Sequence, residues 1–283
     1  MYLCYISRMK LNSRKAVAFQ GEHGAFSEVA VFDLFGKHTK TEPSTAFHNV
    51  FEKVRSGKCE YGVVPVENSL GGIVYQVWDC LNEYDLNIIA EAKVKIEHCL
   101  IVNPGTKLSD IYKIYTHYQA ALQCDKFLKQ HPSWTIENAY DTAGSVKIIQ
   151  NLTGDDKFRA AAIASEQAAK FYRMKILKKG IQDAKDNFTR FVVLSRQKNK
   201  IGNKISFACT LKHKPGTLLE ILSIIKKHNI NLTSIHSRPN KSKKYKNHFH
   251  YHFFLEGLLH DPLNKFLSEI SQKCETSKLL GLY

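Results

Sequence analysis

The sequence predicts an α/β layer fold with a smaller domain of ferredoxin-like order behind it. Two observations carry the prediction. Over the first two hundred residues, short apolar runs alternate with segments whose apolar residues recur at helical spacing, as in α/β sheets. Past the polar, glycine-containing stretch Gln197–Asn203 the order changes to β-α-β-β-α-β across residues 204–283. A chain of 283 residues exceeds one typical domain, and the boundary is placed at that stretch.

Lys15–Gln20 reads as the first strand, closed by the turn Gly21-Glu-His-Gly24, with a helix after Ser27. Pro43-Ser-Thr45 opens a second helix, on which Ala46, Phe47, Val50, Phe51 and Val54 share a face. Tyr61–Val66 is a short buried strand. The polar turn Glu67-Asn-Ser69 and Gly71-Gly72 lead into a helix striped by Val74, Val77, Trp78 and Leu81. Leu86–Ala90 and Cys99–Val102 are strands, and Pro104-Gly105 is a turn. Ile111–Thr116 runs into a helix at Ala120–Gln130, and Thr142–Asn151 is helical. Ala160–Ala164 is a strand of small residues before the helix Glu166–Tyr172, and Thr189–Ser195 closes the series. In the tail, Lys204–Leu211, Asn231–Arg238, Phe249–Glu256 and Lys278–Leu282 are strands, and Gly216–His228 and Pro262–Cys274 are helices.

Composition narrows the class. Apolar residues make up 43% and charged residues 24%, which excludes a mostly disordered chain. No stretch approaches the roughly 20 apolar residues that span a bilayer. The start, Met1–Arg8, lacks the basic and apolar regions of a secretory signal. Seven scattered cysteines without C-x-x-C spacing argue against a disulfide framework or a zinc site, and for the reducing cytosol. The net charge of +15 is concentrated between Gln197 and His250, where twelve Lys/Arg meet one acid, Glu220. Such a segment is either a solvated lysine-rich face or an attractor of anions and nucleic acid. The histidines of His248-Phe-His-Tyr-His252 fall on one strand face, but core packing of Phe249, Tyr251 and Phe253 explains the alternation without a metal.

Four polar clusters sit at strand ends, where open α/β sheets bind ligands. Gly21–Ser27 is either a plain βα turn or a backbone cradle with Ser27 at a helix N-terminus. Pro65-Val-Glu-Asn-Ser69 is either a capped helix start or a set of hydrogen-bonding side chains. Thr116-His-Tyr-Gln119 with Gln123 places Thr116 as a helix cap and Gln123 on the first turns. Asn187-Phe-Thr-Arg-Phe191 brings polar groups into a buried strand, where Arg190 needs an anionic partner, internal or bound. None of these is a P-loop, a dinucleotide fingerprint or a G-x-S-x-G nucleophile motif.

Taken together and in this order, the clusters resemble the prephenate dehydratase family with a C-terminal ACT domain. The likeness rests on G-x-x-G-x-F-S at Gly21–Ser27, P-x-E-N-S at Pro65–Ser69 and H-x-Q-A…Q-C from His117 to Cys124. Thr142-Ala143, A-A-I-A-S at Ala161–Ser165 and T-R-F at Thr189–Phe191 complete it. The resemblance, which is to the monofunctional form, implies a two-subdomain catalytic domain over residues 15–196, similar to type II periplasmic binding proteins. An ACT regulatory domain follows over residues 204–283. It implies decarboxylating dehydration of prephenate, a small anionic substrate, to phenylpyruvate, without metal or organic cofactor. Thr189 is then the catalytic residue, with Asn68, Ser69, Thr116, Gln123, Arg190, Phe191 and Ser27 around the substrate.

In the tail, Gly216, Thr217, Leu218 and Leu219 resemble the ACT loop and helix start. His236, Ser237, Arg238 and Pro239 resemble the phenylalanine-binding E-S-R-P motif, with His236 in place of Glu. The resemblance implies a cytoplasmic homodimer or homotetramer inhibited by L-phenylalanine, without nucleic-acid or membrane partners. Two further departures are Ala25 for the usual threonine and Tyr118 for the usual proline. An arogenate dehydratase is the nearest alternative. A non-catalytic amino-acid sensor is the alternative from another class, and an intact Thr189 speaks against it.

Overall fold

The computed structural model describes residue 11 and residues 13–240, 250–259 and 263–283. The chain opens with β1 (Val17–Gln20), α1 (Phe26–Phe35), β2 (Thr41–Ser44), α2 (Phe47–Arg55), β3 (Tyr61–Asn68) and β4 (Gly72–Ile73). Then come α3 (Tyr75–Glu83), β5 (Asn87–Lys95), β6 (Cys99–Val102), a 3-10 turn at Leu108–Asp110, β7 (Lys113–Thr116), α4 (Tyr118–Gln123) and α5 (Asp125–Lys129). β8 (Thr135–Asn138), α6 (Thr142–Gln150), α7 (Asp156–Arg159), β9 (Ala160–Ala164), α8 (Glu166–Phe171), β10 (Lys175–Lys179) and β11 (Phe188–Ser195) follow. The tail holds β12 (Lys204–Thr210), α9 (Thr217–Lys227), β13 (Asn231–Pro239), β14 (Tyr251–Leu258), α10 (Leu263–Lys273) and β15 (Thr276–Leu282).

The chain divides into two compact units. The first takes the residues up to Val74 and Ala92–Val192; the second takes Tyr75–Glu91 and Val193–Tyr283. In the first unit β1 pairs in parallel with β2 and β3, and β11 lies beside β3. α1 and α2 pack against these strands, over a core that includes Phe19, Val31, Val50, Phe51 and Val63. The unit's other sheet has the order β10-β6-β9-β7-β8. β9 is its middle strand, buried along its whole length, so the run of alanines and one isoleucine needs no polar alternation.

The turn after β1 joins the two layers of this unit. Gly24 has φ +89°, and a Cβ there would lie 2.3 Å from Ala168 Cα at α8. The Ser165 hydroxyl donates to the Gly24 carbonyl and accepts from Ala168 N. Gly24→Ala therefore combines backbone strain with a backbone clash, and is expected to destabilise by about 2–4 kcal/mol. Denaturant unfolding measures this, and an unchanged midpoint would contradict the packing described.

In three places the local pattern of the sequence misleads. Pro43 lies within β2 rather than at a helix start. β2 is the edge of its sheet, where a residue without N–H is tolerated. The helix expected over Ala120–Gln130 is broken at Cys124 (φ −115°, ψ 22°), and α5 restarts with Lys126 N donating to the Asp183 carboxylate. β8 and β10 carry no alternating apolar signal, because both are edge strands with little buried surface.

The second unit contains the expected β-α-β-β-α-β succession. Its antiparallel strands run β13-β14-β12-β15, the ferredoxin-like order. Phe207, Ile221, Ile225, Leu255, Phe266 and Ile270 lie at its core. β15 also pairs in parallel with β5 at Gly281↔Ile88, and Lys278 Nζ donates to the carbonyls of Leu81, Asn82 and Tyr84 at the end of α3. The helix C-terminus thus receives a cation, as its dipole favours.

Residues 241–246, 248, 249 and 262, on which the basic-segment, histidine-face and helix-start expectations partly rest, lie outside the described residues. Of the remainder, Tyr251, the first residue of β14, is exposed rather than core-facing, the buried stretch of the strand starting at Phe254, and half-buried His252 bonds Thr210 Oγ1 through Nδ1 at 2.8 Å. Among the described residues no cluster of His, Cys, Asp or Glu has the makings of a metal site, and no helix is long and apolar enough to cross a membrane.

Candidate active site

Successive residues of a strand point to opposite faces, and β3 and β11 use this as neighbours. On one face Glu67 meets Arg190, with Oε2 at 3.3 Å from Nε and 3.2 Å from Nη2. On the other, Asn68 meets Thr189, with Nδ2 at 2.9 Å from Oγ1. Ser69 seals the strand ends: its N–H donates to the Phe188 carbonyl at 2.9 Å, and its hydroxyl oxygen accepts from Phe188 N at 3.0 Å.

The direction of every hydrogen bond from Asn68 onward follows from two backbone amides. Leu70 N and Gly71 N both donate to Asn68 Oδ1, at 3.0 and 2.7 Å, so the side-chain oxygen is fixed and the NH2 group must face the other way. Its two hydrogens are shared among Asn187 Oδ1 at 2.8 Å, Thr189 Oγ1 at 2.9 Å and the Phe188 carbonyl at 3.1 Å. Asn187, fully buried, then turns its own NH2 to Gln123 Oε1 at 3.0 Å.

Two consequences bear on chemistry. An amide nitrogen cannot accept, so Thr189 Oγ1 is the acceptor from Asn68. The Thr189 hydrogen meets no acceptor among the described residues and is free for a bound molecule. Likewise the NH2 of half-buried Gln123 is bonded to nothing among them. The site therefore presents one hydroxyl hydrogen and one neutral amide, aimed by half-buried Asn68 and fully buried Asn187.

The other expected site residues are placed differently. Arg190 is half-buried on the face opposite Thr189 and held by Glu67, the internal partner that a buried guanidinium requires. Phe191, 2% exposed, is a core residue of β11. Thr116 does not cap α4; its hydroxyl donates to the Ile163 carbonyl at 3.0 Å, and His117 takes the cap position, accepting from Gln119 N. Ser27 is buried in the first turn of α1. The carboxylate beside it, Glu28, already takes the Gly24 N–H. The ring of Phe26, the residue before Ser27, lies edge-on to His98 at 5.7 Å.

Polar contacts also tie the first turn to the other layer. Glu22 N donates to Asp141 Oδ2 at 3.1 Å, and the Glu22 carboxylate receives Tyr140 OH at 2.9 Å and Lys147 Nζ at 3.1 Å. Burial pushes the Asp141 carboxyl above its ordinary value, against the pull of the Gly144 and Glu22 amides. Burial also lowers the pKa of His117, which favours the neutral ring, with Asp141 opposing.

With this geometry in place, residues 17–199 match the family model for prephenate dehydratase. The chain belongs to the prephenate dehydratase family. A family relative from Escherichia coli (strain K12), a bifunctional chorismate mutase/prephenate dehydratase, is 31% identical over 282 residues, covering 97% of this chain and 72% of that protein. The prephenate dehydratase of Arthrobacter aurescens, solved in complex with L-Phe, is 30% identical with a TM-score of 0.83 over 94% of this chain and 88% of that one. A structure described as GqqA, a quorum-quenching acylase, is 27% identical with a TM-score of 0.84, covering 95% of this chain and 97% of that one.

In this prephenate dehydratase homologue the second unit holds the other expected residues. Gly216 takes the left-handed conformation (φ +86°) that starts α9, and the Thr217 hydroxyl donates to the carbonyls of Lys212 and Lys214. Leu218 is half-buried and Leu219 exposed. His236 stacks on Phe254 with centroids 5.2 Å apart and meets the edge of Trp78 at 4.7 Å. Arg238 grips Asp79 of α3 through two bonds of 2.9 and 2.6 Å, over the face of Tyr75. Ser237 and Pro239 lie exposed on β13, the sheet edge.

Two members of the amide cluster are missing from the sequence-based selection. Asn187 stands two residues before Thr189, inside a segment already notable for polar groups in a buried strand, so a signal existed. His98 had none: it is a single histidine between two strands.

Proposed function

We propose that this chain converts prephenate to phenylpyruvate, CO2 and water in the cytoplasm. The observation that carries the reading is the Thr189 hydroxyl, whose oxygen is held by Asn68 and whose hydrogen meets no acceptor among the described residues. In the reaction the C1–carboxylate bond breaks as CO2 leaves, and its electrons form the C1–C2 double bond. The C2–C3 double bond shifts to C3–C4, and the C4–oxygen bond breaks. Aromaticity drives this flow, so the protein has to position the substrate and assist departing hydroxide. A hydrogen bond from Thr189 to the C4 oxygen does this. The proton completes water, and solvent restores the hydroxyl. Donation from Asn68 makes the Thr189 hydroxyl a better donor in turn, because chained hydrogen bonds polarise one another. The Gln123 amide and backbone N–H groups at helix starts supply neutral donors for the two carboxylates.

Nothing comparable supports an amide hydrolase. Among the described residues, neither a histidine nor a carboxylate bonds the Thr189 hydroxyl, so neither kind of base is placed to activate it as a nucleophile. The test is to offer prephenate and arogenate separately and to quantify phenylpyruvate and phenylalanine. Consumption of neither would leave the amino-acid sensor as the reading to pursue.

The second unit is proposed as an ACT domain that takes L-phenylalanine at the Gly216–Leu219 helix start and the His236–Pro239 segment. β13 is an edge strand with Ile235 exposed, a surface suited to pairing with a second copy in a homodimer or homotetramer. Millimolar phenylalanine is expected to lower the rate cooperatively. Equal rates with and without it would remove the feedback proposal.

A further inference from the structure

We infer that His98 is a positioning residue of the dehydratase site, held as the Nε2–H tautomer and acting through Gln123. The inference follows from the hydrogen-bond directions. Leu70 N and Gly71 N fix Asn68, Asn68 fixes Asn187, and Asn187 donates to Gln123 Oε1. His98 Nε2 lies 2.9 Å from that same oxygen. Because Oε1 only accepts, the hydrogen between them belongs to His98.

The other ring nitrogen settles the charge. His98 is 2% exposed, its Nδ1 has no hydrogen-bond partner among the described residues, and its ring packs in an edge contact with Phe26. An imidazolium here would bury a charge together with an unsatisfied N–H, so the neutral ring is favoured. Burial accordingly pulls the His98 pKa down, against the opposing effect of the bond to Gln123. His98 Nε2–H and Asn187 Nδ2 are thus two donors on one oxygen. They pin the Gln123 amide from both sides, and its NH2 stays available to substrate. The His98 backbone is itself held, with N donating to Gln182 Oε1 at 2.9 Å.

The kinetic part of the test rests on the prephenate dehydratase reading; the spectroscopic part does not. In a long-range 1H–15N spectrum of histidine-labelled protein, His98 is expected as a neutral ring protonated at Nε2 near neutral pH. Protonation at Nδ1, or a cationic ring, would overturn the inference even in an inactive protein. Kinetically, His98→Leu is expected to lower kcat/KM roughly tenfold, the scale of one lost hydrogen bond. His98→Gln, whose amide still donates, is expected to recover most of it. In a Gln123→Ala background, His98→Leu should change kcat/KM by less than about twofold, because the group it positions is gone. Full additivity of the two substitutions would mean that His98 only supports the fold, and would reject the positioning role. Absence of any turnover by the wild type would defeat the dehydratase reading while leaving the tautomer result standing.

Discussion

Thr189→Val lowers kcat by about 10²–10³-fold with KM little changed, if Thr189 donates to the departing oxygen only as the C4–oxygen bond breaks. Valine keeps the β-branched shape and strand preference of threonine at a position that is 8% exposed. Asn68 Nδ2 loses one acceptor but retains Asn187 Oδ1 and the Phe188 carbonyl, so the amide cluster stays bonded. The substitution therefore removes one oxygen and its hydrogen from the site and disturbs little else. Steady-state kinetics on prephenate, with denaturant unfolding as a control for folding, checks it. Wild-type kcat in a folded variant would exclude Thr189 from the chemistry.

Asn68→Asp makes a sharper test, because it changes one atom and reverses one bond. The retained oxygen still accepts from Leu70 N and Gly71 N, which preserves the turn. The new oxygen replaces an NH2 group that faces three acceptors: Asn187 Oδ1, Thr189 Oγ1 and the Phe188 carbonyl. Near neutral pH the introduced carboxylate can only accept, so Thr189 must turn its hydrogen inward and away from substrate. A fall in kcat of about 10³-fold or more is expected, at least matching the loss of the hydroxyl. The sign of the pH response is also fixed. The surrounding oxygens raise the pKa of the introduced carboxyl, and its protonated form can again donate to Thr189. Variant kcat relative to wild type should therefore rise as the pH falls through that pKa. A ratio that stays flat with pH would mean that the direction of this bond does not govern the rate.

These expectations depend on residues whose legibility in the sequence differed. Asn68, Ser69 and Thr189 are legible as polar side chains at the ends of apolar strands, where a helix cap or an internal bond explains each one singly and only the joint motif set points to a site. Gln123 is legible by its place in a longer motif. Arg190 shares its motif with Thr189, yet strand alternation turns it to the other face, where Glu67 holds it. Thr116 reads as a helix cap by residue type, but the Ile163 carbonyl claims its hydroxyl and His117 takes the cap. Asn187 carried a partial signal. His98 carried none, because its meaning depends on an oxygen twenty-five residues away in sequence.

What the sequence by itself determined was the order of layers, the ferredoxin-like tail and the motif set that identifies the family. Those properties are local: a period of two or 3.6 and a short run of side-chain types are visible within a dozen residues. The break at Cys124, Pro43 within an edge strand and the edge strands β8 and β10 were decided by tertiary pairing, which overrides local preference. The polarity of the candidate site was decided there too. Residues 68, 98, 123, 187 and 189 meet only in the folded chain. The two backbone amides after Asn68 set the direction of every bond among them, because a carbonyl oxygen cannot donate and an amide NH2 cannot accept.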